Sequence, residues 1–551
     1  MADKQYFVIT STYGGNLATG NIILLPSGGR LNNADITIND EDLVIAGNYS
    51  GGYNIFLSGS PTTPEDSSST YIENSISFTN GGRLNLSAQT ADRTTDPNQS
   101  AYSDSAIQII GTWDHTISQS NQYPSSATYE INMFKSTGGT FSIISDLCGT
   151  ISQNHSVSLT GLTTEEGNAA VNSTGNTIIT TAIRANSLEV YNNFNGTLSA
   201  TNTGTLIQGY ANANVNNNTI RTAAIWTDSG NVTFGGVNTG TINSTTENVT
   251  FNADPGTLKQ DDPDTDPASV TGAASATGNA ILTYGILAGA NGDASIIFQK
   301  GFDATVNATL NNVNLSSTAK GENNKAAVSA NLETYGMYAR ELDISGIFSG
   351  NINTTVTNLS LALNQANAEA TSMTHTIAGL YVTDKINANY LSGTITVNAS
   401  QNIDGSLDTW EGNIYGIYAK NDIISSGVFD TSITITSNNS VLASYETVIG
   451  IKTTTLTAES LAADITITNN MGLSIGVQID NWQNDLTTAF NVIESPFDII
   501  GDITVNSGNV GGYGIVIKDA GNVNLRISSK IQASYAVYSG SFSYTASQRE
   551  G

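Results

Sequence analysis

Three histidines, one cysteine and scattered acids are what this chain offers to conventional catalysis. His115 and His155 follow strand-like stretches, and His375 stands in a polar, loop-like run, so all three read as surface or turn residues. A serine-hydrolase triad needs a base held by an acid beside the nucleophile. No Gly-Asp-Ser-Gly string occurs, and Thr227-Asp228-Ser229-Gly230 reads as a turn between strands. Glycoside hydrolysis needs two carboxyl groups roughly 5–10 Å apart. Asp343, Asp404 and Asp430 lie in neighbouring repeats but not at equivalent positions. Arg526 and Lys530 form a small basic group with no paired acids, and read as solvated charge. Cys148, in the strand-like FSIISDLCGTIS, reads as a buried, inert thiol. The expectation is no catalytic residue and no enzyme.

Binding chemistry has more to work with. Asp261, Asp262 and Asp264 cluster in the string DDPDTD, whose hard oxygens would suit Ca²⁺ weakly. The string lacks the glycine and the terminal glutamate of an EF-hand loop, so a flexible acidic loop is the plainer reading. With no cysteine pair and no HExxH, no cofactor or metal is expected. Tyrosines recur on one strand type: Tyr335, Tyr338, Tyr415, Tyr418, Tyr513, Tyr535 and Tyr538. Strict alternation puts residues three apart on opposite faces unless a bulge intervenes. One set would therefore stack inside, leaving Tyr338, Tyr418 and Tyr538 as candidate contacts for a glycan or protein. The threonine runs ITIT (433–436) and TTTLT (453–457) would form an ice-binding face only with a regular Thr-x-Thr array at one corner. The strings SAT, NST, TTV and VNA read there as irregular, so β-branched residues suited to a pleated surface explain them.

What must position these residues is a repeat. YGMYARELDISGIFSGNINTTVTN (335–358) has relatives from about residue 105 to residue 540. One apolar position falls at Ile117, Ile151, Leu198, Ile242, Val306, Ile352, Ile395, Ile433, Ile465 and Ile503. A second strand recurs upstream, as YGILA at 284, YGMYA at 335, YGIYA at 415 and YGIVI at 513. A third short apolar segment, such as Leu342-Asp343-Ile344, lies between them. Insertions fall after the NINTTV-type strand, the longest at 252–279 and another at Ser360–Thr376. Stacked coils permit this, because loops lie outside the hydrogen-bonded ladder. Gly350 and Gly393 are expected at bends that require positive φ. Residues 1–104 read as a capping region or first coils, and 105–551 as the repeats.

Composition agrees. Charged residues are 12% of the chain, with nine prolines and no sustained helical periodicity, so the chain is all-β. Nineteen basic against 47 acidic residues give −28, which repels phosphates and excludes nucleic acid as a partner. No apolar run reaches about 18 residues, so no membrane insertion of this segment is expected. A single cysteine suits passage through an oxidising compartment. The chain opens directly in strand-like sequence, as an excised mature fragment would, with leader and anchor absent.

Short coils rich in Gly, Asn, Ser and Thr, with inward aliphatic ladders, resemble the right-handed parallel β-helix. The NGTL, SGNI, SGTI and GDITV series and the YGIYA series look like the passenger region of bacterial autotransporter (type V secreted) proteins. They cover about four-fifths of the chain. The resemblance implies a secreted repeat protein on the bacterial cell surface, a structural stalk or adhesin. Its partners would be a cell-surface protein, a glycan or a copy of itself. Polysaccharide lyases and tail-spike glycosidases share the coil, and a carbohydrate-active enzyme is the alternative.

Overall fold

A computed structural model places the chain in stacked parallel coils. Between residues 6 and 119 it describes strands by their backbone. Beyond these it describes residues 128–143, 146–147, 150–161, 174–209, 214–254, 273–318, 326–364, 372–401, 409–439, 444–470, 472–482, 497–508, 511–520 and 525–539. No helix occurs among them.

One coil shows the plan. Ala326–Ala339 forms its first strand, Glu341–Phe348 its second and Asn351–Asn364 its third. Each pairs in parallel with its counterpart one coil on: Tyr335 with Ala378, Leu342 with Ile386, Ile352 with Ile395. Three sheets result, and neighbouring strands in each lie about 4.8 Å apart. This is a parallel β-helix. The earlier strands join the same ladders, Asn54–Gly59 against Gln108–Gln119 and Thr70–Thr79 against Thr128–Ile143. The connection from a third strand to the next coil varies from residues 470–472 to 254–273, and a further long break separates Trp482 from Phe497. The longest insertion is narrower than expected, because Thr241–Ala253 and Ala274–Leu287 are both strands. Likewise Ser360–Asn364 and Ser372–Thr376 belong to strands.

The core follows from alternation. Ile151, Leu198, Ile242, Val306, Ile352, Ile395, Ile433, Ile465 and Ile503 stand in one register and are fully buried. Ile117 is the exception. It pairs with Leu159, and Ile109 is the partner of Ile151. The strand Gln108–Gln119 carries apolar residues at both places, and the spacing of a single strand does not choose between them. Against this ladder the first sheet sets glycine. A Cβ at Gly285, Gly336, Gly379, Gly416, Gly450 or Gly476 would strike the side chain at Val306, Ile352, Ile395, Ile433, Ile465 or Ile503 respectively. The recurrent YG pair is therefore a packing requirement. Gly350 and Gly393 also owe their place to close approach, since neither has positive φ. A Cβ there would meet the rings of Phe302 and Phe348 and the backbone of the preceding coil.

Two polar ladders support the bends. Asn176 donates from its backbone N and Nδ2 to Asn218 Oδ1 at 3.1 and 2.9 Å. Asn218 repeats both bonds to Asn279 at 3.0 and 3.1 Å. At a second bend Asn248, Asn312 and Asn358 hold φ of 57°, 53° and 55°, a conformation asparagine tolerates. Asn312 and Asn358 each donate to the preceding member, at 3.1 and 3.0 Å.

Two of the histidines are not on the surface, and the side chain of His115 lies outside the described residues. His155 and His375 are strand residues turned inward, 0% and 1% exposed. Met373, His375 and Ile377 alternate inward, and the polar residues between them gave the segment its loop-like look. Burial pushes the His375 pKa down to about 3. Its Nε2 lies 3.8 Å from Glu446 Oε2, although Gly412 occupies the rung between them. A side chain at Gly412 would fill the space through which they meet. Ser437 donates to the same carboxylate.

Candidate functional site

The candidate tyrosines share one face. Between Tyr335 and Tyr338 the ladder skips Gly336, and both Gly336 and Met337 turn inward. The odd spacing is absorbed there, so Tyr335 and Tyr338 both project from the outer flank of the first sheet, rings 5.1 Å apart. The expected division into an inner and an outer set does not occur. Tyr415 and Tyr418 repeat the arrangement around Gly416, with rings 5.0 Å apart.

Stacking joins successive coils into a stripe. Tyr284 packs on Tyr335 at 5.6 Å and on Tyr338 at 5.8 Å. Tyr381 stacks on Tyr335 at 4.8 Å and on Tyr418 at 4.5 Å, and meets Tyr338 edge-on at 5.4 Å. The structure thus brings Tyr338 and Tyr418 together through Tyr381. Tyr538 lies in the same column but farther on, beyond Lys452, Gln478 and Val516. It groups with Tyr513 and the exposed Tyr535. Tyr284 and Tyr381 were not among the candidate tyrosines, although their strings, YGILA at 284 and AGLYV at 378, belong to the same strand series.

Charge sits at the margins of the stripe. Trp226 lies under two guanidinium groups, Arg184 at 4.4 Å and Arg221 at 4.8 Å. Arg184 pairs with Glu130 at 2.9 Å and Asp228 at 3.0 Å, and Lys135 reaches Glu130 at 2.6 Å. Burial acts to raise the Glu130 pKa, but Arg184 and Lys135 outweigh it and hold the group below its usual value. Past the tyrosines, Lys452 lies over the Tyr415 and Tyr418 rings at 5.7 and 5.5 Å. Burial lowers its pKa, with Asp480 opposing. Glu333 accepts from the Tyr284 hydroxyl at 2.9 Å and from Asn331 at 3.1 Å. Burial raises the phenol pKa of Tyr284, Tyr335, Tyr338, Tyr381, Tyr415 and Tyr418, so these hydroxyls stay neutral.

This sets what the stripe can do. Ring faces used on neighbouring rings are not open to a sugar. Edges and neutral hydroxyls remain, able to donate and accept hydrogen bonds at the repeat of the coil. Trp226 and the buried tyrosines are packed, while Tyr338, Tyr381 and Tyr418 are partly exposed.

The other candidates have structural partners. Asp343 lies on the second sheet, paired in register with Asn387, and Asp430 in a turn before a third strand two coils on. Arg526 is neutralised by Asp498 on the adjacent rung. In the turn at 227–230, Thr227 donates to the Gly230 carbonyl at 2.5 Å and Ser229 to Asn186 at 2.7 Å. Asp261, Asp262, Asp264, Asp404 and Cys148 lie outside the described residues. No group of three or more metal-ligating residues occurs among the described ones, and they include no helix long and apolar enough to cross a membrane. Compared with known proteins, the chain matches no family model, no curated protein and no solved structure.

Proposed function

We propose that this chain is a non-catalytic extracellular protein, a stiff β-helical stalk or adhesin of a bacterial surface that binds along its flank. The observation that carries the reading is the phenol stripe. It runs along the stack from Tyr284 to Tyr418, is uncharged, and repeats at the coil spacing. A ligand with hydroxyls along its length, such as a glycan chain laid parallel to the stack, would meet a partly exposed phenol at three successive coils, Tyr338, Tyr381 and Tyr418. Weak contacts made in series add their binding strength. Asp343 stands on the second sheet and Asp430 in a turn before a third strand two coils on, a separation that supports binding over cleavage.

A glycan array tests this, with the wild type beside Tyr338→Phe and Tyr418→Phe. These variants keep the rings and remove the hydroxyls. The expected result is retention on a hydroxyl-rich glycan, weakened by roughly tenfold for one lost hydrogen bond of about 1.4 kcal/mol. Depolymerisation of any polysaccharide would refute the non-catalytic reading. Binding unaffected by both substitutions would remove the stripe from it.

A further inference from the structure

A second outer face is built differently. The third sheet keeps its register without a shift from Thr197 to Ser507. Its outward residues form two central columns. One runs Thr201, Thr245, Thr309, Thr355, Asn398, Thr436. The other runs Asn243, Asn307, Asn353, Thr396, Thr434, Thr466. The strings SAT, NST, TTV and VNA hid this pattern because they are not in register. The outward triplets are Asn353-Thr354-Thr355 where TTV was read, and Asn307-Ala308-Thr309 where VNA was read. The run at 453–457 contributes nothing, since Thr455–Thr457 belongs to the second sheet.

We propose that this face orders water and binds ice. The two columns carry no charged side chain from Ser152 to Asn506, in a chain of net charge −28. The second sheet by contrast projects Glu341, Asp343 and Asp422. Thr434, Thr466, Thr468 and Asn506 are exposed, and the other column members are partly exposed. Along a strand, alternate side chains stand about 6.6–6.8 Å apart, and between coils about 4.8 Å. The two columns therefore form a rectangular net of hydroxyls, methyls and amides, flanked at the next outward position by Glu247. Threonine is stiff at χ1, so the net is set before any ligand arrives. In the second column the amides are fixed by one another, Asn307 donating to Asn243 at 2.8 Å and Asn353 to Asn307 at 2.9 Å. A pre-set, uncharged, two-dimensional lattice suits a crystalline array of water, in which methyls exclude and hydroxyls anchor. An ionised side chain would instead hold its own hydration shell.

Thermal hysteresis and uptake of labelled protein into a growing ice crystal test the proposal. The variants are Thr309→Lys combined with Thr355→Lys, and Thr434→Lys alone at an exposed position. Asp343→Lys on the second sheet is the control, and circular dichroism checks the fold of each. The wild type should hold the freezing point below the melting point and enter ice. Both threonine variants should lose activity by roughly tenfold or more, since a lysine must be dehydrated to let the layer form. The control should match the wild type. No hysteresis and no uptake by the wild type would overturn the proposal. So would threonine variants as active as the wild type, or equal loss in the control. Glycan binding plays no part in these readouts, so this proposal and the phenol stripe stand or fall separately.

Discussion

A methyl group added at Gly379 should be destabilising, and the reason can be isolated. Its Cβ would fall within van der Waals contact of Ile395 Cγ2 and 2.9 Å from the carbonyl oxygen of Gly416. Ile395 is fully buried and has nowhere to retreat. Overpacking of this sort costs about 1–3 kcal/mol. Loss of glycine's freedom in the unfolded chain returns about 0.4–1 kcal/mol. Gly379→Ala should therefore cost about 1–2 kcal/mol net. Ile395→Ala removes the opposing methyl and should cost about 2–5 kcal/mol by itself. In the double variant the new methyl enters the space just vacated, so the pair should cost no more than Ile395→Ala alone. That is a coupling of about 1–2 kcal/mol, well above the ~0.5 kcal/mol scatter expected for independent sites. Long repeat arrays need not unfold in one step. Amide exchange within residues 372–401 reads the effect where it arises, with denaturant midpoints alongside. Strict additivity, or a Gly379→Ala protein as protected as the wild type, would refute the claim that glycine is there to admit isoleucine.

Other outcomes follow from the same structure. His375 stays neutral in the interior, with its pKa pushed down to about 3, while the unfolded chain takes up a proton near 6.5. Stability should thus be lost as pH falls from about 6.5 toward 3, by at most ~1.4 kcal/mol per pH unit. His375→Gln should flatten the curve, and an unchanged slope would assign the loss elsewhere. Glu130 has a lowered pKa, so its contribution is present above the unfolded carboxylate value and fades as pH falls through the folded one. Glu130→Ala leaves Lys135 and Arg184 short of a partner, and should cost about 3 kcal/mol in denaturant titration. Asn218→Ala removes the acceptor of two bonds from Asn176, and should cost roughly 2–4 kcal/mol, seen as lost protection at Asn176.

The architecture was legible because apolar residues every second position, set one coil apart, repeat the same short strings. Ile151 through Ile503 could be aligned by spacing, and the structure keeps them in one ladder. What spacing could not supply was register inside a long strand. Ile117 and Ile109 both fit alternation, and only the neighbouring coil decides between them. The coil at Ile475-Gly476 was not placed in the series, though its glycine meets Ile503 as the others meet their partners. Face assignment failed at the tyrosines for a related reason. The irregularity at Gly336 inverts parity, and nothing local announces it until Ile352 is known to lie opposite. Polar alternation around His375 disguised a strand as a loop. The threonine net was obscured by a one-residue offset, which in a strand exchanges inside for outside.

Each coil is held only by the coils on either side, and this governs how the molecule would answer a pull. Tension applied along the stack would not load the whole fold together. It would detach one terminal coil at a time, each exposing the next as the new end. From Ile352 to Ile395 a coil is 395 − 352 = 43 residues long. Its release would lengthen the chain by about 140–155 Å. A stalk of this build would yield in a series of separate steps, each as long as the coil it releases, dissipating work at each while the remaining coils stay intact.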